Sequence, residues 1–315
     1  MQEQFYKPSG KFSSIFFVYY LLGILIGIPV LAAAYSYLIR YIPLIYLNIL
    51  TAIACGVGLG FIIGWAAKLG KVRNPMLVYV LTFVAVVILK YVQWAVYFPV
   101  LFMSNWPIID RFIESAYLLL EPMVIWENIL FLNEFGSWGL SEGNSVSGVM
   151  LSLVWVGEFI LLAGGALLVA GKFPNTPFSE EKGAWYKKHD TVMYTDLPED
   201  SAALKEELKS GNLVNLKALL AKGQENMEEF LTLSFLAPPE DSLSDPYFLT
   251  VIETKIEGKR SRRGKVKKGN SNASQLVSNL AISRQTLHEL TNPPVMESVY
   301  DHSVDPEEDI EETVE

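Results

Sequence analysis

Four long apolar stretches constrain the fold of this chain more than any other feature of its sequence. Each is long enough to cross a bilayer as a helix, which takes about 20 residues, and a helix satisfies its own backbone groups in lipid. The predicted spans cover residues 14–39, 43–67, 76–102 and 146–170. Since only residues 40–42 separate the first two spans, we expect these to form a tight antiparallel hairpin.

The distribution of charge divides the chain into a membrane half and a soluble half. Hydrophobic residues make up 51% of the sequence and crowd before Gly171, whereas most charged residues follow it. We predict a polar linker over 172–198, a small domain over 199–290 and an acidic disordered tail over 291–315. The sequence therefore predicts a mainly α membrane protein, with a four-helix transmembrane bundle over 1–171 and a small C-terminal cytoplasmic α+β domain.

Residue patterns within the small domain predict its elements. Helical patterns cover Ser201–Lys209, which Asp200 or Ser201 is placed to cap, and 213–221. Alternating apolar residues predict strands around 231–235 and 248–256, and 276–282 is a candidate third strand.

Basic residues near the ends of the spans predict their orientation. They precede the first span, lie between the second and third, and follow the fourth, whereas the opposite side carries only Arg40 and Arg111. Both termini are therefore predicted to be cytoplasmic, in a cell membrane that we take to be a bacterial inner membrane. An alternative makes the first stretch a signal peptide cleaved after the small residues 32–34, which leaves three spans with the same orientation.

The segment over 103–145 is the one sizeable outside loop and is unusually apolar. Pro107 and Pro122 divide it into two short helical stretches. The favoured interpretation is a pair of helices lying on the outer membrane surface, and the alternative is a re-entrant element that lines a pore. The loop has one basic residue, Arg111, and six acidic residues, which favour cations at this face. The acidic residues are Asp110, Glu114, Glu121, Glu127, Glu134 and Glu142.

Two residues of opposite charge, Lys90 and Glu158, lie near the centres of the third and fourth spans. A charge at the centre of a bilayer costs about 2.5–3.5 kcal/mol on insertion scales. Because the two spans are adjacent in sequence and the residues lie at matching depth, we predict an intramembrane ion pair. A structural bridge is favoured over an ion or proton relay, since Gln93, Asn48 and Thr51 are the few other polar candidates nearby.

Glycines at four-residue spacing mark helix faces that can approach one another closely. The pattern comprises Gly23 and Gly27 in the first span and Gly56, Gly60 and Gly64 in the second. We predict packing within one chain in preference to dimerisation, because the short connection already holds the two helices together.

The strongest charge feature is a basic run between two predicted strands, which we expect to form a loop. Its members are Lys255, Lys259, Arg260, Arg262, Arg263, Lys265, Lys267 and Lys268. On a membrane-tethered domain such a cluster favours anionic lipid headgroups, ahead of a solvated flexible loop. Nucleic acid is disfavoured because no aromatic residues are interleaved to stack bases. We also hypothesise that the acidic tail folds over this loop and competes with lipid.

No cofactor, metal or catalytic motif is predicted. The single cysteine, Cys55, excludes a disulfide within the chain, and His189, His288 and His302 lie too far apart for a metal pair. We predict a non-enzymatic membrane anchor, scaffold or regulatory subunit whose cytoplasmic domain binds a protein partner or the anionic lipid surface. The alternative is an ion or small-solute channel or transporter that uses Lys90 and Glu158, and an intramembrane enzyme comes third. Homo-oligomerisation stays open.

Overall fold

The computed structural model describes residues 5–42, 45–136, 139–141, 144–224, 228–239, 245–257 and 270–293. Within these ranges, four helices are long and apolar enough to cross a membrane, as predicted: Ile15–Tyr41, Leu47–Leu69, Pro75–Phe102 and Gly148–Ala170. The chain divides into two compact units. We call Lys7–Tyr186 the helical unit, and the described part of Lys187–Glu315 together with Phe5 and Tyr6 the sheet unit.

The first span of the helical unit is built from two α-helices joined by the π-helical segment Gly23–Gly27. These helices are α1 (Ile15–Leu22) and α2 (Ile28–Tyr41). The unit continues with α3 (Ile45–Leu69), α4 (Pro75–Phe102), α5 (Ile108–Leu118), α6 (Pro122–Phe135), β1 (Gly139–Ser141), β2 (Asn144–Ser145), α7 (Gly148–Ala170), β3 (Phe178–Ser179) and β4 (Ala184–Trp185).

Prolines and a polar cap set where the later helices begin. The Asn74 side chain accepts a hydrogen bond of 3.0 Å from the Leu77 amide, and Pro75 occupies the first position of α4. Pro107 precedes α5 and Pro122 opens α6. Proline suits a helix start because its missing amide hydrogen would have no partner there.

Two apolar clusters hold the helical unit together. Tyr35, Leu59, Leu89 and Leu162, one from each long helix, are at most 2% exposed in the larger cluster. The second cluster joins α4 to the two shorter helices and contains Phe98, Leu118, Ile125 and Leu132. The first span thus contributes buried residues to the core, and α5 and α6 are packed on the bundle through their own cluster.

The sheet unit is a four-stranded antiparallel sheet with helices on one face. Its elements are β5 (Lys187–Asp196), α8 (Ser201–Lys209), α9 (Val214–Lys222), β6 (Glu229–Ala237), β7 (Tyr247–Glu257), β8 (Asn270–Ile282) and α10 (Arg284–Thr291). The strands pair in the order β5-β6-β7-β8. Leu231, Leu233 and Phe235 of β6 are fully buried with leucines of the three helices, because alternate side chains of a strand point to one face.

The structure differs from the predicted linker over 172–198. Part of that segment forms the hairpin of β3 and β4, and the rest contains β5, an edge strand of the sheet. Lys187 and Lys188 at the start of β5 are exposed. An edge strand with exposed lysines lacks the apolar alternation that identifies a buried strand in sequence, and lysine is a common way of protecting such an edge.

The remaining elements of the sheet unit agree closely with their sequence patterns. Helix α8 begins after Asp200, whose side chain accepts hydrogen bonds from the Ala202 and Ala203 amides. Strand β8 is longer than the predicted 276–282, and α10 follows it without having been predicted. The β8 edge also carries a bridge from Phe5 to Leu280, so the N-terminal residues belong to this unit.

Candidate functional site

Lys90 of α4 and Glu158 of α7 lie beside each other inside the helical unit. Lys90 Nζ is 3.5 Å from Glu158 Oε2, and the two side chains are 13% and 15% exposed. Trp94 follows Lys90 by four residues and Trp155 precedes Glu158 by three, so each tryptophan shares a helix face with its charge. The two indole rings pack edge to face at 5.1 Å, and this contact helps to align the two helices.

Aromatic rings surround the ammonium group of this pair. Lys90 Nζ lies 5.2 Å from the centre of the Tyr35 ring and 5.5 Å from that of Trp94. Such contacts stabilise a cation when water is excluded. Gln93 Oε1 is buried without a hydrogen-bond partner among the described residues, and the Tyr35 hydroxyl is buried beside Glu158. Tyr35 escaped the sequence analysis because a tyrosine in an apolar span has no signature that links it to a distant charge.

A cavity of about 370 Å³ lies against Lys90. It is bounded by α4, α6 and α7. Its polar lining includes Asn133, whose Nδ2 donates 2.9 Å hydrogen bonds to the Gly148 carbonyl and to Ser152 Oγ. Trp126 and Trp155 supply much of the apolar wall. The charged pair is therefore next to a space that a small molecule or water can occupy.

The turn between α5 and α6 lies level with this pair along α4. The Tyr91 hydroxyl donates a hydrogen bond of 2.8 Å to the Leu119 carbonyl, and Tyr91 directly follows Lys90. The axes of α5 and α6 are bent by 109° at the turn. Helices lying on the membrane surface would place this turn near the end of α4. The contact favours the re-entrant alternative, and by length and composition the bent pair fits either a broken span or a re-entrant loop.

The predicted glycines lie where helices make close contact. A Cβ at Gly60 would lie 2.6 Å from the Ala166 carbonyl oxygen of α7, and one at Gly56 would overlap the Leu162 carbonyl. A Cβ at Gly64 would overlap the Phe173 ring. Gly23 and Gly27 both face Ile62 of α3, and a Cβ added at either position would lie 2.8 or 2.7 Å from one of its methyl groups.

A polar cluster joins three segments at one end of the helical unit. Glu180 accepts hydrogen bonds from Ser9 Oγ at 2.5 Å and from Arg73 Nε at 3.1 Å, and it lies 3.6 Å from Lys11 Nζ. Arg73 also covers the Phe178 ring at 4.3 Å. Although partial burial raises the pKa of Glu180, the Ser9 hydroxyl and the charges of Arg73 and Lys11 bring it below its ordinary value. The sequence analysis missed this cluster because it treated Glu180 as part of a linker.

The other predicted site residues are only partly described. Lys255 is exposed, and its Nζ lies 3.1 Å from Glu253 Oε1. The rest of the basic run and the acidic tail lie outside the described residues. Asp110 and Glu114 lie on α5, whereas Glu142 is also outside the described part of the chain.

Comparison with known proteins gives no family for this chain. No protein-family model, curated protein or solved structure matches it.

The described residues contain no group of three or more histidine, cysteine, aspartate or glutamate side chains arranged to hold a metal ion. Within the helical unit, the clearest chemical arrangement is thus a compensated ion pair in apolar surroundings. Each charge offsets the free-energy cost of burying the other, since removing one leaves the other buried and unpaired.

Proposed function

We propose that the chain is a multi-pass membrane anchor whose sheet unit binds a protein partner, as a scaffold or regulatory subunit. The observation that carries this proposal is the sheet face opposite the three helices. Tyr194, Thr232, Ile252 and Gln275 lie side by side across the four strands on this face. Tyr194 is 48% exposed.

Aromatic and aliphatic groups concentrate on this open face. The Tyr194 ring packs against Phe230 at 5.9 Å, next to the row that contains Ile252. Tyrosine and other aromatic residues are enriched at protein interfaces because they bury a large area with few rotatable bonds. Thr232, beside Ile252 in the same row, provides a hydroxyl group that can hydrogen-bond to a partner protein.

The packing of the helical unit supports a structural role for the spans. The carbonyl oxygens of Leu162 and Ala166 come so close to α3 that only glycine fits at Gly56 and Gly60. Lys90 and Glu158 neutralise each other within the same bundle. A tightly packed bundle with paired charges suits an anchor. Close helix packing and charge compensation both stabilise a bundle, and neither depends on the passage of a solute.

We further propose that both termini are cytoplasmic. Four spans return the chain to its starting side, and pairing of Phe5 with Leu280 supports a common side for the N-terminus and the sheet unit. Lys68, Lys71 and Arg73 mark the same end of the bundle in the positive-inside sense. Attraction of the basic run to anionic lipid would hold the sheet unit close to the membrane. A C-terminal green fluorescent protein fusion, which fluoresces only in the cytoplasm, tests this orientation.

Affinity purification of the full chain in mild detergent tests the partner proposal. We expect a defined protein to copurify with the wild-type chain and to be lost from Ile252→Lys and Tyr194→Ala. Val214→Lys is the matched control, because Val214 is 67% exposed on α9, among the helices that cover the other face. Equal recovery with all variants would contradict the proposed face.

A channel or transporter is the second candidate, favoured by one observation. The α5–α6 turn is level with Lys90, which also borders a cavity. Ion flux into liposomes that contain the purified chain separates the candidates. An anchor gives the flux of empty liposomes, whereas a channel gives flux that Lys90→Met or Glu158→Gln changes.

A further inference from the structure

A second cavity, of about 430 Å³, lies in the helical unit between the first span, α4 and α5. Its walls are mostly apolar and include Ile24, Val92 and Val96. Its volume falls within the range of small-molecule sites, about 300–1,000 Å³. It is separate from the charged pair, because Lys90 does not line it.

Arg111 is the charged residue among those that line this cavity. Its Nε and Nη1 atoms are buried and have no hydrogen-bond partner in the described part of the chain. Its guanidinium lies 5.7 Å from the centre of the Tyr37 ring, near the end of α2. Buried N–H groups in native proteins are nearly always paired, so these two donors indicate a missing acceptor.

The carboxylates on the same helix do not supply that acceptor. Asp110 and Glu114 are the neighbouring acidic residues of α5, yet neither lines the cavity. Arg111 also has no ion pair with any described carboxylate. Ser115, another polar residue of the lining, already donates its hydroxyl hydrogen to the Arg111 carbonyl.

The dimensions of the cavity match a lipid chain. Its lining on the first span runs from Tyr37 to Ile24, which is about 20 Å at a rise of about 1.5 Å per residue. An acyl chain in one leaflet spans about half of a hydrocarbon core that is about 30 Å thick. The groove is therefore long enough to hold one acyl chain. Arg111 lies at the Tyr37 end, close to the end of the span, where headgroups are found.

We infer that this groove binds one acyl chain of an anionic phospholipid whose phosphate is held by Arg111. The guanidinium carries a permanent positive charge and N–H donors on more than one edge, and no described carboxylate neutralises it, so it suits a phosphate oxygen as its acceptor. The apolar walls hold the acyl chain without any polar partner.

Native mass spectrometry of the full chain in detergent tests this inference. The probes are phosphatidylglycerol and phosphatidylcholine with identical acyl chains, supplied in equal amounts. We expect the wild-type chain to retain phosphatidylglycerol about fivefold more than phosphatidylcholine, because both carry the same phosphate but the choline cation cancels its negative charge beside Arg111. Arg111→Gln should remove this preference, whereas Arg40→Gln, at an exposed arginine near the end of α2, should preserve it.

Two further arms separate the phosphate from the acyl chain. Val96→Trp fills the groove while keeping Arg111, so it should reduce retention of phosphatidylglycerol. Glycerol phosphate, which has no acyl chain, should not displace the lipid, and displacement would instead indicate a site for free phosphate. A melting temperature close to that of the wild type establishes that each variant is folded. Equal retention of the two lipids by the wild type, or an unchanged preference in Arg111→Gln, would overturn the inference.

Discussion

The Tyr91 hydroxyl donates a 2.8 Å hydrogen bond to the Leu119 carbonyl, and this contact fixes the turn after α5 beside the middle of α4. The last carbonyl groups of a helix lack partners within the helix. In an apolar environment such a group must be satisfied by another part of the protein. The amides of Leu120 and Glu121 also bond back to Tyr117 and Leu118, so the backbone of the turn is well paired.

The depth of this turn predicts how it reacts with water-soluble reagents. In a Cys55→Ala background, Leu120→Cys should be protected from a membrane-impermeant thiol reagent in intact vesicles. Trp106→Cys, in the exposed connection before α5, should react readily. Leu120 is 77% exposed on the protein surface, so its protection would come from lipid and not from burial. Equal labelling of the two cysteines would restore the surface-helix interpretation.

The contact between Lys90 and Glu158 predicts a strongly non-additive pair of substitutions. Glu158→Ala should destabilise the chain by about 3–5 kcal/mol, because Lys90 is then buried without a counter-charge. Replacing Lys90 with Met and Glu158 with Ala together should cost much less. The free energy of unfolding in detergent, measured for Lys90→Met, Glu158→Ala and the double variant, gives the coupling. Equal losses in the single and double variants would mean that the charges do not stabilise each other.

The backbone contact at Gly56 predicts that a single methyl group there is destabilising. Gly56→Ala brings a Cβ against the Leu162 carbonyl of α7, and such overpacking typically costs about 1–3 kcal/mol. Gly157 is the matched control, because a Cβ at that helical position meets nothing within 4 Å. Gly157→Ala should be neutral or stabilising by up to about 1 kcal/mol. Similar unfolding free energies for the two variants would argue against close packing of α3 and α7.

The features that the sequence predicts well are those with a local or a depth signature. The length of the apolar stretches alone identifies the spans. The matching depth of Lys90 and Glu158 in two adjacent spans predicts that they pair. The pairing of Phe5 with Leu280 has no such signature, because it joins residues that lie far apart in the sequence. Arg111 is visible in the sequence only as a charge in an outside loop. Its cavity depends on how α5 packs against two other helices, which neither periodicity nor composition encodes.

The Glu180 cluster predicts a pH dependence of stability that one substitution should remove. The pKa of Glu180 in the folded chain lies below its ordinary value of 4.5. A lowered folded-state pKa means that the carboxylate stabilises the fold above pH 4.5, and that this contribution is lost as the pH falls towards the lowered value.

Because Glu180 is 40% exposed, the contribution should stay below about 1 kcal/mol. We expect the wild-type chain to lose stability between about pH 5 and pH 3 more steeply than Glu180→Gln, as this linkage requires. Glu199→Gln, at an exposed residue outside this cluster, should keep the wild-type slope. The unfolding free energy of all three chains is measured across this range. The difference between the wild type and each variant cancels the contributions of the carboxylates that both chains share. Parallel curves for the wild type and Glu180→Gln would show that Arg73 and Lys11 do not stabilise the carboxylate.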